Sequence, residues 1–156
     1  MHGSEKVIKA LNDNLSDELT AIVQYMVQSE MCDNWGYKRL AGLTKKRAIE
    51  EMKHAEALIE RIIFLDGVPA VTVPLKPQPG TDVKSQFEID LKDELGAIKE
   101  YNDAIRLCRE EGDNGTRELF EKNLHDEETH ADYLETQLVT IEQIGIANYL
   151  AEQMKD

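Results

Sequence analysis

Cysteine is scarce in this chain: Cys32 and Cys108 are the only two. Two thiols so far apart exclude a disulfide framework and a Cys-x-x-Cys metal or redox module. Basic residues are also short, with 18 Lys and Arg against 31 Asp and Glu, a formal charge of −13. So acidic a surface repels phosphate backbones and excludes a nucleic-acid partner. It attracts small cations, although a solvated acidic face is the commoner reason for such a balance. No apolar run approaches the roughly 20 residues that a membrane helix needs. The opening Met1-His2-Gly3-Ser4-Glu5-Lys6 leads straight into an amphipathic pattern rather than a secretory leader. These absences predict a cytoplasmic protein with no membrane partner. Proline is confined as well: Pro69, Pro74, Pro77 and Pro79 all fall between Gly67 and Gly80.

With proline held to one window, the rest of the 156 residues is free to be helical, and it reads so. Ile8, Leu11, Leu15, Glu18, Ile22 and Tyr25 recur at alternating steps of three and four, one buried stripe of a helix over about 4–34. Asn34-Trp35-Gly36 makes the turn, with Asn34 as the expected cap of a second helix over 36–65, whose stripe is Thr44, Ala48, Glu51, Ala55, Leu58 and Ile62. A third helix over 83–111 carries Phe87, Leu91, Glu94, Ile98, Tyr101 and Ile105. A fourth over 114–143, capped by Asn114 or Thr116, carries Phe120, Leu124, Glu127, Ala131, Leu134, Leu138 and Ile141. A short fifth helix follows Gly145, over 146–154. The length predicts one domain, 1–156, of the all-α class. Each two-helix half has an apolar stripe with nothing to cover it, so the halves should pack as a four-helix bundle. The proline segment then crosses the bundle's length rather than linking separate domains.

The two halves are copies in design. Glu51 and His54 recur as Glu127 and His130, each 76 positions on; Glu18 recurs as Glu94, Tyr25 as Tyr101, and Asp17-Glu18-Leu19 as Asp93-Glu94-Leu95. A Glu and a His at i and i+3 share a helix face one turn apart and can converge on one metal ion. A single Glu-x-x-His is weak, since both residues are common on solvated faces; two copies in register with an internal repeat are far more specific. All four glutamates stand in stripes where an apolar residue is expected. A buried unpaired carboxylate is costly, so each needs a cation or donors. Glu18 taken alone reads better as a carboxylate that reaches out at the stripe's edge. Taken together, a Glu from each of two helices and Glu-x-x-His from the other two form a dinuclear carboxylate pattern. Carboxylates and imidazoles suit iron or manganese. The repeat assigns Glu51 and Glu127 as bridges, with Glu18 and His54 closing one position and Glu94 and His130 the other.

Of three further features, the tyrosine pair and Met52 have two readings each. Tyr25 and Tyr101 lie seven residues beyond Glu18 and Glu94: either core aromatics with satisfied hydroxyls, or hydrogen-bond partners or electron donors beside the metals. Lys45-Lys46-Arg47 is a basic run in an acidic chain, and such runs are mostly solvated faces. Met52 follows Glu51 by one residue and so points about 100° away from the site. It lies with Ile49 and Ile59, and opposite Leu19, Val23 and Met26, on an apolar outer face suited to a subunit interface. There it is adaptable packing or, with its two-fold mate, a pair of thioether ligands.

Glu18, Asp33-Asn34-Trp35-Gly36, Glu51-Met52-Lys53-His54-Ala55, Glu94, Asp126-Glu127-Glu128 with His130, and Asp132-Tyr133-Leu134-Glu135-Thr136 together resemble the bacterioferritins of the ferritin-like superfamily, over nearly the whole chain. The resemblance implies a ferroxidase that oxidises Fe(II) with dioxygen or peroxide at an intrasubunit di-iron centre. It implies storage of hydrated ferric mineral in a homo-oligomeric cage of twenty-four subunits built from two-fold dimers. It also implies haem b, or a related iron porphyrin, between paired subunits with Met52 as axial ligand, and a ferredoxin-type electron donor for iron release. The metal ligands it implies are Glu18, Glu51, His54, Glu94, Glu127 and His130, with Tyr25 beside them. The chain departs at Lys45-Lys46-Arg47, where many relatives have an aromatic, a His and an acid, so the inner-surface iron site of some relatives is not expected to carry over. The alternative is a non-storage, peroxide-reducing di-iron oxidoreductase. Many of those bear a Cys-x-x-Cys module that this chain lacks. A mini-ferritin that protects DNA would not need the second Glu-x-x-His. A metal-free structural bundle would leave four carboxylates stranded in its core.

Overall fold

What each helix buries explains why it forms. In the computed structural model, which describes residues 1–156 apart from Val73, helix α1 spans Glu5–Asn34 and turns Val7, Leu11, Leu15, Glu18, Tyr25 and Cys32 inward. Helix α2, Lys38–Phe64, buries Leu40, Ala48, Glu51, Ala55, Leu58 and Ile62 on the same kind of face. Helices α3, Val83–Glu110, and α4, Asn114–Ile144, repeat the pair, and α5, Ile146–Gln153, closes the chain. Four long helices form the bundle; α1 lies chiefly on α2, and α3 on α4. No helix among the described residues is long and apolar enough to cross a membrane.

The apolar interior is in two parts. One gathers Leu11, Leu15, Leu58, Ile62, Ile105, Cys108 and Phe120; the other gathers Cys32, Leu40, Phe87, Leu134, Ile141 and Tyr149. Each fully buried aliphatic side chain contributes roughly 1.5–3 kcal/mol, so these two clusters supply the main cohesion of the four helices. Between them lies a layer of buried charged residues. Cys32 and Cys108 belong to different clusters and both are free thiols, as their positions near opposite ends require. Helix α5 is held by Tyr149, whose ring meets Phe87 edge-on at 6.0 Å and whose hydroxyl donates to Gln137 Oε1 at 2.7 Å.

The segment between α2 and α3 does run the length of the bundle, and it is fastened to α1 on the way. Asn12 Nδ2 donates to the Val68 carbonyl and its Oδ1 accepts from Ala70 N; Gln24 Oε1 accepts from Gln78 N; Gln28 Nε2 donates to the Pro79 carbonyl. Positions 12 and 28 of one helix are about 24 Å apart. The segment ends in a capping box: Asp82 Oδ1 accepts from Ser85 N, and Ser85 Oγ accepts from Asp82 N.

The helix starts differ from expectation in two places. Asn34 does not cap α2; it is the last residue of α1, and α2 begins after Tyr37 with no side-chain cap. The turn is made instead by Gly36 at φ 89°, a left-handed conformation that glycine adopts without strain. Helix α4 is capped by Asp113 rather than Asn114 or Thr116. Asp113 Oδ1 accepts from Thr116 N at 3.0 Å and also from Arg61 Nη2 at 3.0 Å, which ties the end of α2 to the start of α4. Pairing of the Asp113 carboxylate with Arg61 therefore outweighs the local merits of Asn114.

Candidate metal centre

Four helices each send a glutamate into the charged layer. Glu51 and Glu127 are 1% and 2% exposed, and Glu18, Glu94, His54 and His130 are also buried. The repeat works as a two-fold relation, so the donors arrange in two groups. His54 Nδ1 lies 3.7 Å from Glu18 Oε1, 3.3 Å from Glu51 Oε2 and 3.3 Å from Glu127 Oε1. On the other side, His130 Nδ1 lies 3.0 Å from Glu94 Oε1. Glu51 and Glu127 turn their remaining oxygens, Oε1 and Oε2 respectively, to that second side. Glu18, Glu51, His54 and Glu127 thus form one candidate metal position, and Glu94, Glu127 and His130 another, each with ligand atoms within 4.8 Å of one another.

The donor set fits metal ions. Glu18 Oε2, His54 Nδ1, Glu94 Oε2 and His130 Nδ1 are all buried and have no hydrogen-bond partner. Buried polar atoms are almost always satisfied, so four orphans aimed at one volume need a ligand the protein does not supply. The two tyrosines are explained too. Tyr25, on α1, donates to Glu94 Oε1 on α3 at 2.9 Å; Tyr101, on α3, donates to Glu18 Oε1 on α1 at 2.6 Å. Each lone glutamate is held by the tyrosine of the opposite half.

Four buried carboxyls this close cannot all be ionised. Burial and the neighbouring Glu51 raise Glu18 well above the usual carboxylate range. Burial and a hydrogen bond with Glu94 push Glu127 up to about 9. Glu51 also feels burial, but the Glu18 hydrogen bond, His54 and Arg47 outweigh it and hold it at about 2. His130 is pushed down to about 4 by burial and by Arg47, so it is a neutral imidazole ready to ligate. His54 goes the other way: despite burial, the close carboxylates of Glu127, Glu18 and Glu51 raise it.

Two residues at the site were not legible in the sequence. Asp126 Oδ2 lies 2.9 Å from His54 Nε2 and orients the ring from behind, the usual second partner of a ligating imidazole. Its adjacency to Glu127 was the available hint. The other is Arg47, from the basic run read as a solvated face. It is 9% exposed, and its Nη2 reaches 2.7 Å from Glu51 Oε1 and 2.9 Å from Glu127 Oε2. Its place one turn before Glu51 was the hint in this case. Met52, by contrast, is 44% exposed on the outer face, well away from these donors.

Two openings lead to the centre. A cleft of about 310 Å³ is lined by Asp17, Glu18, Gln24, Glu94 and, from the crossing segment, Lys76 and Gln78. On the opposite side a cavity of about 220 Å³ is lined by Thr44, Lys46, Arg47, Glu50, His130 and Tyr133.

The ferritin-like domain family model matches residues 8–144. Bacterioferritin of Mycolicibacterium paratuberculosis is 43% identical over 152 residues, covering 97% of this chain and 96% of that protein. Identity of this order over the whole length decides the family. The chain belongs to the bacterioferritins. Bacterioferritins of Brucella melitensis and Streptomyces coelicolor are 42% and 40% identical, covering 96% and 97% of this chain and 92% and 90% of theirs. The span matched to the ferritin-like model takes in every bacterioferritin-like motif of the sequence, from Glu18 to Thr136.

Proposed function

We propose that this chain is an iron-storage ferroxidase. Fe(II) is oxidised by dioxygen or peroxide at the Glu18, Glu51, His54, Glu94, Glu127, His130 centre, and the ferric product is stored as hydrated mineral inside a cage of twenty-four copies. The observation that carries this reading is the splitting of Glu51 and Glu127, each with one oxygen toward the His54 side and one toward the second side. A pair of carboxylates so divided is the arrangement two adjacent ions require. When bound, two iron ions supply the two electrons that reduce dioxygen to hydrogen peroxide, or hydrogen peroxide to water, as both pass from Fe(II) to Fe(III). The protein's part is to hold and orient. Tyr25 and Tyr101 fix the two lone glutamates, Asp126 fixes His54, and the flanking apolar clusters keep bulk water from the layer.

The outer face supports assembly and haem. Met26, Ile49 and Met52 are 56%, 44% and 44% exposed and lie on the adjoining faces of α1 and α2. Large apolar side chains grouped on one face favour a partner, and a second copy related by a two-fold axis brings two Met52 thioethers together. Met52 and its mate would hold a haem as axial ligands, a place from which electrons from a ferredoxin-type donor can reach the mineral.

Gel filtration after aerobic addition of Fe(II), with iron measured per chain, tests storage. Many iron atoms eluting with a very large particle are expected. Two irons per chain in a small particle would instead indicate a non-storage, peroxide-reducing oxidoreductase. The centre itself is tested by Glu127→Ala, which should lower the initial rate of Fe(II) oxidation at least about 100-fold while circular dichroism stays helical. An unchanged rate would remove the centre from the mechanism.

A further inference from the structure

We propose that Arg47 is a built-in counter-ion for the second metal position, which its guanidinium occupies until an ion displaces it, so that the two positions fill in a fixed order. The inference rests on the di-metal reading above. The oxygens that face the second position are Glu51 Oε1, Glu127 Oε2 and Glu94 Oε1. Arg47 Nη2 lies 2.7, 2.9 and 3.8 Å from them in turn. A metal ion bound to the first two at about 2.1 Å would overlap that nitrogen, and two cations on one pair of oxygens repel. Guanidinium and ion therefore exclude each other.

No side chain from outside its own ligand set occupies the first position. The residue related to Arg47 by the 76-residue repeat is Asn123, one turn before Glu127 as Arg47 is one turn before Glu51. Asn123 is buried, uncharged, and its Nδ2 has no hydrogen-bond partner. The duplicated design is thus broken at one pair of positions, with a cation on one side and a short neutral amide on the other. An ion entering the Glu18 and His54 side meets no resident guanidinium.

Arg47 also has somewhere to go. Its Nη1 is 3.1 Å from Glu50 Oε2, and Glu50 is half-exposed on the cavity of about 220 Å³ that Arg47 itself lines. The long side chain can swing into that cavity about its bond to Glu50, keeping one charge partner while releasing three. Burial explains why the arrangement persists without metal: unpaired buried carboxylates are strongly destabilising, and Arg47 offsets them.

Anaerobic titration with Co(II) tests this, followed by the visible absorption of bound cobalt, with no turnover involved. Wild type should bind two ions in separate steps, the second at least about tenfold weaker. Arg47→Gln should leave the first step within about twofold and tighten the second at least tenfold, merging the steps. The same variant should melt lower than wild type when metal-free and alike when cobalt-loaded. Arg47→Lys, which keeps the charge, should restore the separation of the steps in part. A second step unchanged in Arg47→Gln overturns the proposal while leaving the di-metal centre intact. Failure of both proteins to bind cobalt at two sites would sink the centre and the proposal together. Should Arg47→Gln not fold, Glu50→Ala decides: it removes the resting place of the displaced side chain, so the second step must weaken while the first does not. No change in that variant overturns the proposal.

Discussion

Tyr25 holds Glu94 by one hydrogen bond across the bundle, and Tyr101 holds Glu18 by another. A bond to a buried carboxyl is worth roughly 1–3 kcal/mol, and its loss leaves an acceptor without a partner. Tyr25→Phe should therefore lower the unfolding free energy of the metal-free protein by about that amount in urea denaturation. It should also slow the initial oxidation of Fe(II) several-fold, because Glu94 loses its orientation. A variant as stable and as fast as wild type would return Tyr25 to plain packing. Asp90 gives a second test at this scale. It is buried and accepts at Oδ1 from both Gln24 and Gln28, yet burial raises its carboxyl to about 7 against those two donors. A folded-state value above the unfolded one stabilises the fold at low pH, and that contribution is lost as pH rises from about 4 through 7. Asn at this position keeps an Oδ1 for both glutamines and carries no charge. Asp90→Asn should thus gain roughly 2–4 kcal/mol over wild type above pH 7 and nothing below about pH 4, read from urea unfolding at both pH values. An equal gain at both would mean that titration of Asp90 is not the cause.

The helices were legible because their stripes are long and regular, and the six buried Glu and His side chains because the repeat puts each in register with a partner. What pattern reading missed depends on reach rather than period. Arg47 has a side chain long enough to cross to two other helices, α3 at Glu94 and α4 at Glu127, and no count of i+3 and i+4 steps reports where its far end stops. Likewise, Asn34 has good capping chemistry, but α1 runs on through it and the chain turns at Gly36. The α4 cap was displaced to Asp113 by a tertiary partner, Arg61, that only the packed bundle supplies. One element boundary invites a direct test. Gly145 joins α4 to α5 at φ 82° and ψ 149°, a region almost closed to other residues, while nothing lies within 4 Å of an added Cβ. Gly145→Ala should accordingly cost about 1–3 kcal/mol through backbone strain alone, and hydrogen exchange should quicken mainly in α5. Loss of protection spread evenly over the bundle would contradict that account.

At the scale of the whole molecule, the proposed cage and haem would meet at the exposed apolar face around Met52. Met52→Leu keeps the volume and apolarity of the side chain and removes the sulfur, so the cage should still form. The variant should purify without haem, oxidise Fe(II) at the wild-type rate, and release stored iron slowly to a reductant. Unchanged haem content and absorption spectrum would leave Met52 as packing only.

The segment that crosses the bundle also contributes Lys76 and Gln78 to the lip of one opening to the centre. The stretch with the least regular backbone is therefore a threshold as well as a joint. The ligands belong to helices whose residues are constrained on every side, but the threshold is tied down mainly by side chains of α1 at Asn12, Gln24 and Gln28. Chains sharing this interior can thus diverge in how readily ions enter by changing a few threshold residues, with no ligand helix repacked. If the chain takes up iron as proposed, substitutions at Lys76 and Gln78 should alter the rate of ion entry while leaving the buried Glu and His side chains in place.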